Sequence, residues 1–273
     1  MKAVPQVILF VAAFFATWAF VNRIDLVGLF RVEEFSRENE AKLGELIVES
    51  LTSGHREIGD TAVTDLMNTV LARLCDANGI GDTPVRLHII KNGDVNAFAL
   101  PDRRLILNSG LIDYCRTPGE VAGVIAHEMA HIEHRHVMKK LVKEVGMAML
   151  MAIAGGQSGG DIVKQTARTL SSTAFDRDLE TDADTTAVGY MARAGIDPGE
   201  LANFLYRLSQ EKHDMPKAFE WIRSHPNSAD RAAEILKLKS GRRFDPRPIA
   251  DSLAWKSYRT RVREAARETG ITD

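Results

Sequence analysis

The sequence contains little cysteine, few aromatic residues and no excess of charge of either sign. Its 273 residues include two cysteines and carry a net charge of −2. The basic residues lie among acidic ones, so the chain gives no reason to expect nucleic-acid binding. Cys75 and Cys115 are too far apart in sequence to be a metal-type Cys pair, and they are either a disulfide in an oxidising compartment or two buried thiols. The sequence is silent on oligomeric state.

One long uncharged stretch lies at the N-terminus. Residues 4–21 carry no charged side chain, and a helix of that length extends roughly 27 Å, close to the hydrocarbon thickness of a bilayer. The stretch is apolar on every face, which favours a membrane segment over a core helix. It is an uncleaved anchor or a cleaved export signal, and the poor small-residue pattern near Thr17-Trp18-Ala19 favours the anchor. We therefore expect contact with the membrane through residues 4–21.

Hydrophobic periodicity predicts a mostly helical α+β fold with a small antiparallel sheet. Helices are expected over 36–51, 61–77, from Pro118, and over 137–154, 161–194, 198–211, 227–239 and 252–268, with strands over 85–89, 95–100 and 105–107. The predicted segments are an N-terminal anchor or signal (1–21), a linker (22–35), one main domain (36–240) and a C-terminal helical extension (241–273).

The residues His127-Glu-Met-Ala-His131 match the HExxH pattern. Two histidines four residues apart on a helix face the same side, so both rings can reach one metal ion. Glu128 is rotated by about 100° and borders the same cleft, where it can hold a metal-bound water. By chance alone, the pattern occurs in very roughly one chain in a hundred.

His134 lies on the same face but too far along the helix to share the ion. Three ligands spread over two turns, about 10 Å of rise, cannot bind one ion from a straight helix. The metzincin pattern needs Gly at 134 and His at 137, so His134 and Val137 exclude that class. His134 is therefore predicted to be structural or to end the helix.

A second acidic element follows at Glu180-Thr-Asp-Ala-Asp184. A catalytic zinc site needs three protein ligands and one open position, and Glu180 can supply the third ligand from a separate helix. Asp184, four residues on, can accept the free ring N–H of a metal-bound histidine. Spacing alone leaves open a solvated acidic helix face, since Asp176, Asp178 and Asp182 are nearby.

Four landmarks together resemble one known family. They are Asn96-Ala-Phe-Ala-Leu-Pro101, His127–His131, Glu180–Asp184, and Ser224-His-Pro226 followed by Arg231. From about Glu40 to Leu238 the chain is similar to the HtpX-like gluzincin peptidases, kin of the zinc CaaX prenyl endopeptidase. The resemblance implies a zincin-like catalytic domain with the sheet beside the active-site helix.

The resemblance also implies the roles of the site residues. It implies one Zn²⁺ per chain held by His127, His131 and Glu180, with Glu128 as general base and Asp184 supporting a ligand histidine. The histidine matching His225 lies over the cleft and helps stabilise the oxyanion, and in some members it approaches and blocks the zinc. The arginine matching Arg231 lines the same cleft.

The expected function is cleavage of misfolded or flexible polypeptides in membrane-associated quality control. We expect the substrate to add a strand along Asn96, Ala97, Phe98, Ala99 and Leu100. Large domains translocate largely regardless of flanking charge, and the branch it resembles predicts a single-pass protein with its catalytic domain on the periplasmic or exported side. One departure is Asp102-Arg103-Arg104, where family members often carry glycines, which leaves the shape of that turn open.

Two other classes of protein remain open at this stage. A non-proteolytic holdase with a structural zinc would use the same helices, although structural sites are usually closed by four protein ligands. A prenyl-protein endopeptidase needs a large membrane chamber, which one candidate span cannot build.

Overall fold

The computed structural model describes residues 35–53, 56–81, 84–211, 219–241 and 244–267. These residues form a mostly helical α+β fold with a three-stranded sheet, which confirms the predicted fold class. The elements in chain order are α1 (Arg37–Thr52), α2 (Thr61–Ala77), β1 (Arg86–Ile90), β2 (Ala97–Leu100), β3 (Arg104–Asn108), α3 (Ser109–Tyr114), α4 (Pro118–Glu133), α5 (His136–Glu144), α6 (Met147–Ala154), α7 (Gly160–Ser172), α8 (Arg177–Arg193), α9 (Gly199–Gln210), α10 (Phe219–Ser224), α11 (Ser228–Ser240) and α12 (Ser252–Arg267).

The sheet is mixed, not antiparallel as predicted. Its strand order is β1-β3-β2, with β3 parallel to β1 and antiparallel to β2. The chain reverses between β1 and β2 without pairing them, and β3 then inserts between the two. Residues 56–58 pair with the outer side of β1 through the Ile58 N–H to Ile89 C=O bond of 2.7 Å. Strand β2 therefore carries the edge that faces α4.

The turn between β2 and β3 is left-handed at two residues that are not glycine. Asp102 has φ 62° and Arg103 has φ 54°, each of which costs roughly 1 kcal/mol for a residue with a side chain. Arg86 pairs with the Asp102 carboxylate, and Arg103 pairs with Glu133 at the end of α4. These ion pairs stabilise the left-handed backbone conformation of the turn, which glycines would adopt at no steric cost.

Helix α4 forms the centre of the fold, and nearly all of its residues are buried. Pro118 occupies its first turn and the Thr117 hydroxyl caps it by accepting the Glu120 N–H at 3.1 Å, as helix starts favour. Gly123 allows close approach of α9, because a Cβ there would lie 2.8 Å from the Leu201 Cβ. An alanine at this position would push the two helices apart.

Two predicted helices are each broken in the structure. The helix predicted over 137–154 ends at Glu144, and Gly146, with φ 90°, separates α5 from α6. The helix predicted over 161–194 is interrupted between α7 and α8, where the Phe175 N–H donates to the Ser224 carbonyl at 3.1 Å. That tertiary contact has no local signal in the sequence, and neither do the short helices α3 and α10.

The predicted membrane-anchored, single-pass localisation is not supported. Among the described residues, no helix is both long enough and apolar enough to cross a membrane. The longest have 17 residues and carry polar side chains, and the apolar helix α6 has eight residues. The prediction of a membrane-anchored, single-pass protein is therefore wrong for the part of the chain that the structure describes. Residues 4–21 lie outside it.

The last helix, α12, packs on α2 and α3. The Trp255 indole is buried and donates its N–H to the Cys115 carbonyl at 3.2 Å, and the Tyr258 hydroxyl donates to the Val63 carbonyl at 2.6 Å. Cys75 and Cys115 are both buried and free, so the thiol alternative holds. The predicted boundary between the main domain (36–240) and the C-terminal extension (241–273) stays a prediction.

We expect Trp255→Ala to destabilise the protein by about 4 kcal/mol, because it leaves a large cavity and removes a buried hydrogen bond. Denaturant unfolding measures the change. Leu253→Ala on the same helix is the control, since that side chain is 73% exposed and its loss should change stability by less than about 0.5 kcal/mol. Equal effects of the two substitutions would show that α12 does not form part of the core.

Candidate metal centre

Helix α4 presents three fully buried polar side chains to its neighbours: His127, Glu128 and His131. One helical turn separates the histidines, and their Nε2 atoms lie 3.1 Å apart. The predicted convergence of the two imidazoles is therefore present in the structure.

Helix α8 supplies the two predicted carboxylates. The Glu180 carboxylate lies 3.4 Å from His131 Nε2 and 3.6 Å from His127 Nε2. One turn further along, Asp184 Oδ1 lies 3.0 Å from His127 Nδ1. Glu180 thus faces the Nε2 atoms of both rings, whereas Asp184 lies behind His127 at its Nδ1.

His225 closes the group from the segment between α10 and α11. Its Nδ1 lies 2.9 Å from Glu180 Oε1 and 3.3 Å from His127 Nε2. The ring stacks on Trp221 at a centroid distance of 4.3 Å, and the His225 N–H donates to the Trp221 carbonyl at 2.8 Å. The ligand atoms of His127, His131, Glu180 and His225 all lie within 4.8 Å of one another.

Arg231 lies under this group and pairs with both carboxylates. Its Nε and Nη2 donate to the two Asp184 oxygens at 2.7 and 2.8 Å, and its Nη1 contacts Glu180. Asn227, with φ 63°, starts α11 and accepts the Arg231 N–H on its carbonyl. The guanidinium is buried against these two carboxylates.

The hydrogen-bond network suggests how the rings carry their protons. Asp184 accepts the His127 Nδ1–H, which leaves the His127 Nε2 lone pair directed at His131. Burial lowers the pKa of His131 and of His225 to about 4, so the rings are neutral, the form that binds metals. The nitrogen lone pairs of these neutral rings face one another beside a carboxylate. Such a group of donor atoms can coordinate a cation. The residues present therefore fit a metal ion.

The carboxylates are held ionised. Burial opposes ionisation of Asp184, but the adjacent Arg231 outweighs it and lowers the pKa of that carboxyl. Burial likewise opposes ionisation of Glu180, and His225 and Arg231 together hold its pKa well below the usual value. An ionised carboxylate beside neutral imidazoles favours a cation at this position.

Glu128 differs from these two carboxylates. Burial raises the pKa of its carboxyl to about 8. The Ala99 N–H, which donates to Glu128 Oε2 at 2.8 Å, acts in the opposite direction. Its Oε1 lies 3.4 Å from His225 Nε2. Glu128 therefore lies beside the group of candidate ligands and links it to strand β2.

The predicted substrate strand, Asn96–Leu100, lies along α4. Asn108 N–H donates to the Asn96 carbonyl at 3.1 Å, and hydrogen-bonded pairs alternate along an antiparallel ladder. The main-chain groups of Ala97 and Ala99 therefore face away from β3. All four residues of β2 are buried.

Sequence reasoning missed three side chains that contact the centre. His136 Nδ1 lies 3.0 Å from His131 Nδ1, Phe175 stacks on His131 at a centroid distance of 4.0 Å, and Trp221 holds His225. His136 follows the HExxH pattern by five residues, but the left-handed turn at Arg135, with φ 55°, directs it back. His134 ends α4, as predicted.

The sequence pattern of peptidase family M48 matches residues 62–239, a stretch that contains every side chain of this centre. The chain belongs to peptidase family M48. The resemblance drawn from the motifs is confirmed, and the predicted class of enzyme, a metalloendopeptidase, is confirmed at the level of the family.

The M48 chain is similar to several metalloproteases. It is 26% identical over 243 residues to the beta-barrel assembly-enhancing protease of Yersinia pestis, covering 83% of this chain and 49% of that protein. It is 28% identical to the mitochondrial metalloendopeptidase OMA1 of Schizosaccharomyces pombe, covering 62% and 51%, and 32% identical to the metalloprotease LoiP of Escherichia coli, covering 58% and 64%. The chain thus spans about half the length of the first two relatives.

We expect Asp184→Asn to destabilise the M48 domain by about 3 kcal/mol. The change removes one carboxylate from a buried charged pair, and the cost lies at the lower end of the usual range because Glu180 still pairs with Arg231. Thermal and denaturant unfolding measure it. Asp178→Asn is the matched control on an exposed position of α8, and an equally destabilised control would contradict the role given to the pair.

Proposed function

We propose that the chain is a zinc-dependent endopeptidase that cleaves misfolded or flexible polypeptides in protein quality control. The observation that carries the proposal is the convergence of His127, His131 and Glu180, with Glu128 beside them. Relatives named as a beta-barrel assembly-enhancing protease and a metalloendopeptidase support it.

Zn²⁺ is the metal that this donor set fits best. Two imidazoles and one carboxylate are a common catalytic zinc set, and one Zn²⁺ is proposed at this centre. When bound, Zn²⁺ lowers the pKa of water and polarises a carbonyl oxygen. His127, His131 and Glu180 would hold it.

Glu128 would take the proton of the attacking water and pass it to the leaving amine. Its buried carboxylate has a pKa raised to about 8, and a general base works best with a pKa near the working pH. The Ala99 N–H fixes one oxygen of Glu128 in this structure and orients the other toward the candidate ligands.

Arg231 and Asp184 would position His127. Both guanidinium ends of Arg231 are engaged by carboxylates, so we assign this residue to positioning and not to the oxyanion. His225 would donate to the developing oxyanion; in this structure its ring lies 2.9 Å from Glu180 and 3.4 Å from Glu128.

Strand β2 would hold the substrate in an extended conformation. The outward main-chain groups of Ala97 and Ala99 can pair with a polypeptide irrespective of its side chains. Recognition through the main chain suits flexible or unfolded chains of varied sequence.

The substitution Glu128→Gln tests the chemistry. We expect this centre to keep one zinc ion, and cleavage of unfolded casein to fall by a factor of about 10² to 10⁴, the usual contribution of a general base. Glu133→Gln on the same helix is the control, because that side chain pairs with Arg103 outside the centre. Full activity of Glu128→Gln would end the assignment.

A holdase with a structural zinc is the second candidate. The observation that favours it is the fourth ring, since His225 brings four possible ligands together, and structural zinc sites have four protein ligands.

Removal of the metal separates these two functions. For an endopeptidase we expect a chelator to abolish casein cleavage and one equivalent of Zn²⁺ to restore it. Cleavage fragments and suppression of aggregation are measured together on the same samples. Suppression of aggregation with no fragments at any zinc concentration would favour the holdase.

A further inference from the structure

A second group of possible metal ligands lies where α4 ends, on the outer side of the candidate metal centre. Asp182 Oδ2 lies 2.9 Å from His134 Nδ1 and 3.2 Å from His136 Nε2, and the three ligand atoms lie within 4.8 Å of one another. His136 is buried, whereas the side chains of His134 and Asp182 are 36% and 47% exposed. We propose that these three residues bind a second transition-metal ion such as Zn²⁺, and that this ion opposes metal binding at the candidate metal centre.

The donor set matches such an ion in kind and in spacing. Imidazole suits Zn²⁺, Cu²⁺ and Ni²⁺, and a carboxylate completes many sites of this type. Tetrahedral bonds of about 2.1 Å place ligand atoms about 3.4 Å apart, a few tenths of an ångström more than the observed separations. A small outward movement of the exposed Asp182 would open that space, and the solvent side would leave a position for water.

The backbone builds this arrangement from two elements. Arg135 is left-handed and reverses the chain between α4 and α5, which brings His134 and His136 to the same carboxylate on α8. Thr186 Oγ1, one turn further along α8, lies 3.2 Å from His134 Nε2. It can accept the ring N–H there and leave the Nδ1 lone pair for the ion, as outer partners of metal-bound histidines do.

The coupling between the two sites rests on the proposed function, because it requires a metal on His131 Nε2. His131 then carries its ring proton on Nδ1 and donates it to His136 Nδ1, 3.0 Å away. His136 keeps its own proton on Nε2, where Asp182 accepts it. In this state His136 and Asp182 support the metal on His131.

A second ion would break this hydrogen bond. The ion takes the Nε2 lone pair of His136, so the single proton of that neutral ring moves to Nδ1. Two N–H groups, on His131 and His136, would then face each other at 3.0 Å without an acceptor between them. When both sites are filled, each ion is therefore bound more weakly than it would be alone.

Zinc stoichiometry of the full chain tests the second site. Equilibrium dialysis with metal analysis is applied to the unsubstituted chain, to His134→Ala and to Glu180→Gln. The control is His88→Ala, which removes a histidine that lies outside both groups and 3.1 Å from the Glu57 carboxylate. We expect two ions in the unsubstituted chain and in the control, the second binding more weakly. His134→Ala should weaken binding of the second ion by more than about 100-fold, since the loss of an outer partner alone costs about 10- to 100-fold. Asp182→Asn, on an exposed side chain, should act in the same direction.

Glu180→Gln separates this proposal from the proposed function. The variant should lose the tighter ion and keep the weaker one. If it keeps the tighter ion, the proposed catalytic centre fails while the second site stands. If the unsubstituted chain binds a single ion in excess Zn²⁺, or if His134→Ala binds two as tightly, the second site is overturned.

The coupling is measured as the retention of the tighter ion. Adding Zn²⁺ beyond one equivalent should accelerate the transfer of the tighter ion to a chromophoric chelator. Casein cleavage in excess Zn²⁺ should also be slower than casein cleavage at one equivalent. Both effects should be present in His88→Ala and absent from His134→Ala. Equal effects of excess zinc in His134→Ala and in the unsubstituted chain would overturn the coupling.

Discussion

The buried guanidinium of Arg231 keeps two carboxylates ionised inside the protein. Burial of an unpaired charge is very unfavourable, yet Asp184 is engaged through both of its oxygens and Glu180 contacts the same side chain. The cluster joins α8 to α11, and through the Asp184–His127 contact it reaches α4. The relative placement of three helices, and with it the geometry of the metal centre, depends on this one cation.

The charges of the centre explain why it suits a divalent ion. Arg231 offsets one of the two ionised carboxylates, and burial keeps the imidazoles neutral. One negative charge therefore remains next to the ring lone pairs. A cation placed there would also lower the pKa of Glu128, since a nearby positive charge favours the ionised form of a carboxyl. In the proposed function, the ion that activates the water would thus also ionise Glu128, the proposed general base.

The predictable part of the fold and site is the part encoded within single elements. The spacing of His127, His131, Glu180 and Asp184 reflects helical geometry, and each pair lies where one helical turn places it. The approach of Glu180 and Asp184 to the histidines was expected from the motifs and the resemblance, but contacts that no motif marks were beyond this reasoning. The insertion of β3 between its neighbours and the break before Phe175 arise from tertiary pairing, and His136 reaches His131 only because Arg135 reverses the chain.

The contact between Ala99 and Glu128 connects substrate binding to chemistry in the proposed function. The Ala99 N–H faces the outer edge of β2 and donates to Glu128 at 2.8 Å. A polypeptide that adds to this edge would need that same N–H, so its arrival would take the donor from Glu128. Loss of a donor to a carboxylate raises its proton affinity, which strengthens Glu128 as a base when a substrate is present. The other oxygen of Glu128 lies 3.4 Å from His225, so a polypeptide that takes the Ala99 N–H would leave this histidine as the neighbour of the carboxylate.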